Sequence, residues 1–242
     1  MPDTALLIVD VQSALVAEAH DAEACLTRVA ELAGRAQAAG VPVLYLRQQV
    51  DLPGVPTELL DIHPAVAPQP DDIVLDKCSA DSFLDTPLDG LLREHGVRRV
   101  VVTGFATEYC VDSTSRSALS HGYDLVLVAD GHTTPERPAD SPLPSAAQVI
   151  VHHNAVFATV AYAGRTIQVL PAEQVDFAAE PTAGQDLGAR VSAQGSVQSG
   201  PQLASPLGST FGTIADTGGP ARARAGPRLG NECSFPVPEQ NR

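Results

Sequence analysis

Basic residues are scarce in this chain of 242 residues: 15 Lys and Arg stand against 29 Asp and Glu, a formal net charge of −14. Nucleic acids and anionic membranes are bound through clustered Lys and Arg, so neither is an expected partner. The acidic excess falls within residues 1–180, where it serves solubility and names no ligand. Cysteine is sparse too. Cys25, Cys78, Cys110 and Cys233 are widely spaced with no CxxC pair, which argues against a zinc knuckle. A chain of this length can bury a sizeable core without disulfides. No apolar run approaches a membrane span, and MPDTALLIVD enters a strand at once with no basic n-region before it. These absences predict a protein of the reducing cytoplasm. There is no internal repeat.

What is present is an alternation of strand and helix signals over the first 170 residues. Continuous apolar runs at 5–10, 41–47, 72–77, 97–103, 124–130 and 166–170 read as strands. Helical spacing covers 13–39, with a break near His20–Asp21, and returns at 87–95, 107–121 and 145–160. Thr86 followed by Pro87 reads as an N-cap before a proline at the first helical position. Strands that lack polar alternation and are separated by helices imply buried, mostly parallel pairing. The expected fold is a three-layer α/β/α architecture around a mostly parallel, Rossmann-like sheet of six strands. Residues 1–178 form the expected domain. Beyond it, 179–242 are rich in Gly, Ser, Pro and Ala with few bulky apolar residues, and are expected to form a disordered tail that the chemistry does not need.

Ligands of parallel α/β sheets gather outside the carboxyl ends of the strands. Three chemically capable residues fall at such ends. Asp10 closes the first strand, Lys77 the third, and Cys110 follows the fourth in GFATEYCVDSTS. The helical pattern begins near Thr107, which places the Cys110 thiol in a first helical turn. Free backbone N–H groups there favour a thiolate. A carboxylate beside a thiol can take its proton, and a lysine nearby supports the thiolate. Each residue taken alone also has a plain reading: a turn aspartate, a solvated lysine, a small core cysteine. Their joint placement points to nucleophilic catalysis.

The segments LLIVDVQ (6–12), DKCSADSF (76–83) and VVTGFATEYCVDSTSRSALSHGYDLVLVADGHTT (101–134) resemble the isochorismatase-like cysteine hydrolase family, which includes nicotinamidases and N-carbamoylsarcosine amidase. The resemblance covers roughly residues 4–172. It implies a catalytic Asp10–Lys77–Cys110 triad and a non-proline cis peptide at Phe105–Ala106. It further implies an oxyanion site made by the Ala106 and Cys110 N–H groups. The implied reaction cleaves a C–N bond of a small amide, carbamoyl or lactam substrate through a thioester. Isochorismate-type vinyl-ether hydrolysis is the second reading, and a non-catalytic oligomeric binding protein of the same fold the third. A homo-oligomer that takes a small molecule is expected.

Other residues are weaker candidates. Gln12 could orient Asp10 or simply start a helix. Phe83, Phe105 and Tyr109 could wall a substrate pocket or pack in the core. Thr107 reads as a helix N-cap. Cys78 neighbours Lys77 but should face away, because adjacent strand residues point to opposite sides. In nicotinamidases an Asp-x-His element after the second strand helps to bind a metal. Here Asp51 is not followed by such a histidine, and only Asp61-Ile62-His63 has the spacing, later in the loop. The expectation is no metal and no cofactor.

Overall fold

The computed structural model describes residues 3–50 and 52–178. The expected tail at 179–242 lies outside the described residues. Six strands form one open sheet: β1 (Thr4–Val9), β2 (Val43–Gln48), β3 (Ile73–Lys77), β4 (Arg99–Phe105), β5 (Asp124–Thr133) and β6 (Ile167–Leu170). Their order is β3-β2-β1-β4-β5-β6, and every neighbouring pair is parallel. This is the doubly wound order, in which the direction of winding reverses between β1 and β4.

The continuous apolar runs become strands because both faces of the sheet are covered. Along β1 the side chains alternate between two cores. Leu6 and Ile8 pack on one face with Val29, Leu32 and Ala36 of helix α2 (Ala22–Ala38). Ala5, Leu7 and Val9 pack on the other. There they meet Leu88 and Leu92 of α3 (Leu88–Glu94), Ala118 and Leu119 of α4 (Asp112–His121), and Phe157 of α5 (Ala146–Thr159). The expected break in the first helix is real: a short α1 (Ser13–Val16) ends before Asp21, whose φ of 46° cannot continue a helix. The third helix starts one residue later than its sequence signals predict. Pro87 occupies the N-cap position, and the Thr86 hydroxyl accepts the Leu88 N–H at 3.3 Å. No helix among the described residues is long and apolar enough to cross a membrane.

Gly104 explains how β1 and β4 approach each other at the switch point. Its φ is +123°, and a Cβ there would lie 2.1 Å from the Val9 carbonyl oxygen. Only glycine tolerates both the dihedral and the contact. Gly104→Ala is therefore expected to destabilise the fold by about 3 kcal/mol or more, combining backbone strain with overpacking. A urea midpoint equal to that of the parent would refute this.

Candidate active site

Asp10 is the first residue past β1, directly at the reversal of winding. Its N–H continues the parallel ladder to the Leu46 carbonyl at 2.8 Å. Its φ of 49° then turns the chain out of the strand, a left-handed conformation that aspartate tolerates better than most residues. The side chain is buried, at 1% exposure. Oδ2 accepts from Lys77 Nζ at 2.8 Å, whereas Oδ1 has no hydrogen-bond partner. Burial raises the Asp10 pKa above the ordinary carboxylate range, opposed in part by Lys77 and by the Cys110 thiol.

Lys77 ends β3, two strands away, and its long side chain reaches back beneath β2. The ammonium is buried and donates to three oxygens: Asp10 Oδ2 at 2.8 Å, Gln48 Oε1 at 2.7 Å and the Ser79 carbonyl at 2.9 Å. Three donors with three acceptors satisfy it completely. Gln48, the last residue of β2, was not among the sequence candidates. It obeys the same strand-end rule as Asp10 and Lys77, and that rule could have found it. Gln12 acts on Gln48 and not on the Asp10 carboxylate. Its Oε1 accepts the Gln48 N–H at 2.8 Å, and its Nε2 donates to the Gln48 carbonyl at 3.0 Å and the Leu60 carbonyl at 2.6 Å. Cys78, the first residue past β3, is exposed while Lys77 is buried.

Cys110 is partly buried and sits in a π-helical turn, Thr107–Val111, that leads into α4. This differs from the simple first turn of an α-helix read from the sequence. The Ala106 carbonyl accepts the N–H groups of Tyr109 (3.0 Å) and Val111 (3.2 Å) and passes over Cys110. The Phe105–Ala106 peptide is cis. The expectation for Thr107 also needs correction. It is the first residue of the turn and caps nothing; its hydroxyl instead meets His132 Nδ1 at 2.9 Å. His132 Nε2 lies 3.0 Å from Asn154 Oδ1, and Asn154 Nδ2 donates to the Ala129 carbonyl at 2.9 Å. The amide orientation puts the imidazole proton on Nε2, so Nδ1 accepts from Thr107. Burial lowers the His132 pKa to about 4, which keeps this ring neutral.

The electrostatics of the thiol also correct an expectation. Burial pushes the Cys110 pKa up to about 12, and the Asp10 carboxylate adds to the rise. Lys77 opposes it without reversing it. The resting thiol is therefore protonated, because desolvation and a neighbouring anion outweigh the ammonium and the helix start. The interaction of this S–H with a buried carboxylate whose Oδ1 is otherwise unpartnered is the central feature of the site.

The remaining candidates make other contacts. Phe83 packs in the core, with its ring stacked on His121 at 4.7 Å and near Tyr123. Phe105 packs in the opposite core. Tyr109 is 57% exposed and lines a cavity of about 290 Å³ with Glu108, Arg137 and His152. Asp61 is paired with Arg47, and His63 Nδ1 accepts the Ala65 N–H at 3.2 Å. Among the described residues, no three His, Cys, Asp or Glu side chains converge as a metal site.

Fold and crevice together define a doubly wound α/β protein that carries a thiol, a carboxylate and an ammonium at its switch point. The family model of the isochorismatase domain matches residues 4–160. A streptothricin hydrolase of Streptomyces noursei is 36% identical over 189 residues, which cover 74% of this chain and 73% of that protein. The ureidoacrylate amidohydrolase RutB of Methylobacterium radiotolerans is 31% identical over 169 residues, 52% of this chain and 66% of its own. Among solved structures, an isochorismatase family protein from Burkholderia thailandensis is 26% identical with a TM-score of 0.56, over 72% of this chain and 94% of its own. The chain belongs to the isochorismatase family of hydrolases.

Proposed function

We propose that this chain is a cysteine-dependent amidohydrolase that cleaves a C–N bond of a small amide, carbamoyl or lactam substrate. The observation that carries this reading is the divided Asp10 carboxylate. Oδ2 is held by Lys77, while Oδ1 is buried with no geometric hydrogen-bond partner, and the Cys110 thiol interacts with this carboxylate. A carboxylate with a raised pKa is a stronger base than an ordinary one.

In the proposed reaction, Asp10 takes the Cys110 proton as the sulfur attacks the carbonyl carbon. The negative charge that develops on the carbonyl oxygen is met by the Ala106 and Cys110 N–H groups. Asp10 then hands its proton to the leaving nitrogen, the C–N bond breaks, and a thioester remains. Water attacks the thioester as Asp10 accepts one of its protons, the C–S bond breaks, and that proton returns to the sulfur. Lys77 stays charged throughout and supports whichever neighbour is anionic. The relatives named as a streptothricin hydrolase and a ureidoacrylate amidohydrolase support this class of reaction.

The test is a panel of small amides, ureas and lactams, including streptothricin and ureidoacrylate, with release of amine or ammonia as readout. Isochorismate, with pyruvate as readout, serves as the opposing arm. Turnover of isochorismate alone would replace this reading with the vinyl-ether one.

The site as built has a nucleophile, a proton carrier and a fixed cation. The donors of the 61–63 element are in part already spent, on Arg47 and on the Ala65 N–H. Prolonged treatment with EDTA is therefore expected to leave turnover unchanged. Loss of activity that zinc or iron restores would overturn this expectation.

A further inference from the structure

We propose that Gln48 is a positioning residue for this reaction: its neutral side-chain oxygen completes the acceptor set of Lys77 and keeps the site at one carboxylate against one ammonium. The inference rests on the Asp10–Lys77–Cys110 reading above.

The geometry of the ammonium is the starting point. Its three hydrogens go to Asp10 Oδ2, Gln48 Oε1 and the Ser79 carbonyl, at 2.7–2.9 Å. Only Asp10 among these acceptors carries charge. Gln48 is itself immobilised. Gln12 clamps both its N–H and its carbonyl, and ties the same strand end to Leu60 in the loop that follows. Gln48 Nε2 is turned to the Gln49 carbonyl at 3.3 Å, which leaves Oε1 as the atom facing Lys77.

Two consequences follow. With every hydrogen committed, Lys77 cannot swing to donate to a substrate, so it acts as a fixed charge and proton movement falls to Asp10. The charge balance of the thiol is also simple. The charged groups that act on Cys110 are Asp10 and Lys77, while Arg47, next to Gln48 on β2, pairs with Asp61 and Asp76 instead. A glutamate at position 48 would have nearly the same shape and still accept from Lys77. It would add a second anion beside the ammonium and make a thiolate harder to form.

The test is the rate of Cys110 alkylation by iodoacetamide from pH 7 to 10, measured on the full chain by peptide mapping, with melting followed by circular dichroism. Gln48→Glu is expected to raise the thiol titration by about one unit. That slows labelling roughly threefold at fixed pH, because a more basic thiolate is intrinsically more reactive. Gln48→Met, neutral and without the oxygen, leaves one ammonium hydrogen unpaired and frees Lys77 to shift, so labelling is expected to depart from the parent; it carries the test if Gln48→Glu fails to fold. Asp10→Asn and Lys77→Met are the controls. If these two shift labelling while both Gln48 variants match the parent, the inference is wrong and Gln48 only fills space. If none of the four shifts it, the Asp10–Lys77–Cys110 reading fails first.

Discussion

Cys110→Ala is expected to abolish hydrolysis while the protein melts as the parent does. The expected loss is on the order of 10⁴–10⁶-fold, because residues that act as one unit lose nearly everything with the nucleophile. The structural reason is that nothing else at the site can take its place. Asp10 and Lys77 are buried and bound to each other at 2.8 Å, and the turn at Thr107–Val111 presents one sulfur to them. The side chain removed is only partly buried, so the cavity left behind is small and the fold should tolerate it. Cys78→Ala makes the contrast. Cys78 is exposed, one residue past the end of β3, and disulfide-bonded, so its loss is expected to leave turnover near the parent value. Steady-state rates of both variants on a substrate found in the amide panel check this. Residual turnover above a tenth of parent in Cys110→Ala would remove Cys110 from the mechanism. Loss in a well-folded Cys78→Ala would tie the site to Cys78 and its disulfide and overturn this contrast.

The frame of the site was legible in the sequence because it depends on backbone rules. A continuous apolar run that ends in a polar residue marks the carboxyl end of a buried parallel strand. That rule puts Asp10 and Lys77 at strand ends, and in the structure Asp10 directly follows β1 and Lys77 ends β3. It applies equally to Gln48 at the end of β2, which passed unnoticed because an uncharged amide suggests no chemistry by itself. The π-helical turn was not legible. It differs from an α-turn by the shift of a few hydrogen bonds, and TEYCV carries no residue that demands the change. The thiol pKa was hidden for a different reason. A helix start and a lysine can be read locally, whereas desolvation depends on which elements close over the sulfur. Thr107 shows the same limit. Its residue type fits an N-cap, but its partner is His132 on β5, 25 residues away. Residue type leaves Phe83 open between pocket and core, and its contacts with His121 and Tyr123 put it in the core.

Asp10→Asn is expected to separate chemistry from reactivity, with turnover falling and the thiol becoming more reactive. The fall follows from the loss of the proton carrier, since an amide can neither take the Cys110 proton nor deliver it to the leaving nitrogen. General acid–base catalysis of this kind contributes about 10²–10⁴-fold. The gain in reactivity follows from charge. In the parent, Asp10 neutralises Lys77 and holds the thiol pKa up, alongside burial. Without that anion, Lys77 is a buried cation with no counter-charge, and the nearest group able to supply one is the Cys110 thiol. Its pKa should fall from about 12 by roughly 1–3 units. Below that pKa each unit raises the thiolate fraction tenfold, while the less basic thiolate is intrinsically less reactive. The net expectation is iodoacetamide labelling about 3- to 40-fold faster at pH 8. Lys77→Met should move labelling the other way, because it removes the cation that favours the thiolate. The parent's own turnover should be lost as pH falls through the raised Asp10 pKa, above the ordinary carboxylate range, because the base must be ionised to act. Slower labelling in Asp10→Asn would show that the carboxylate supports the thiolate instead of opposing it, and the proton transfer assigned to Asp10 would have to be abandoned.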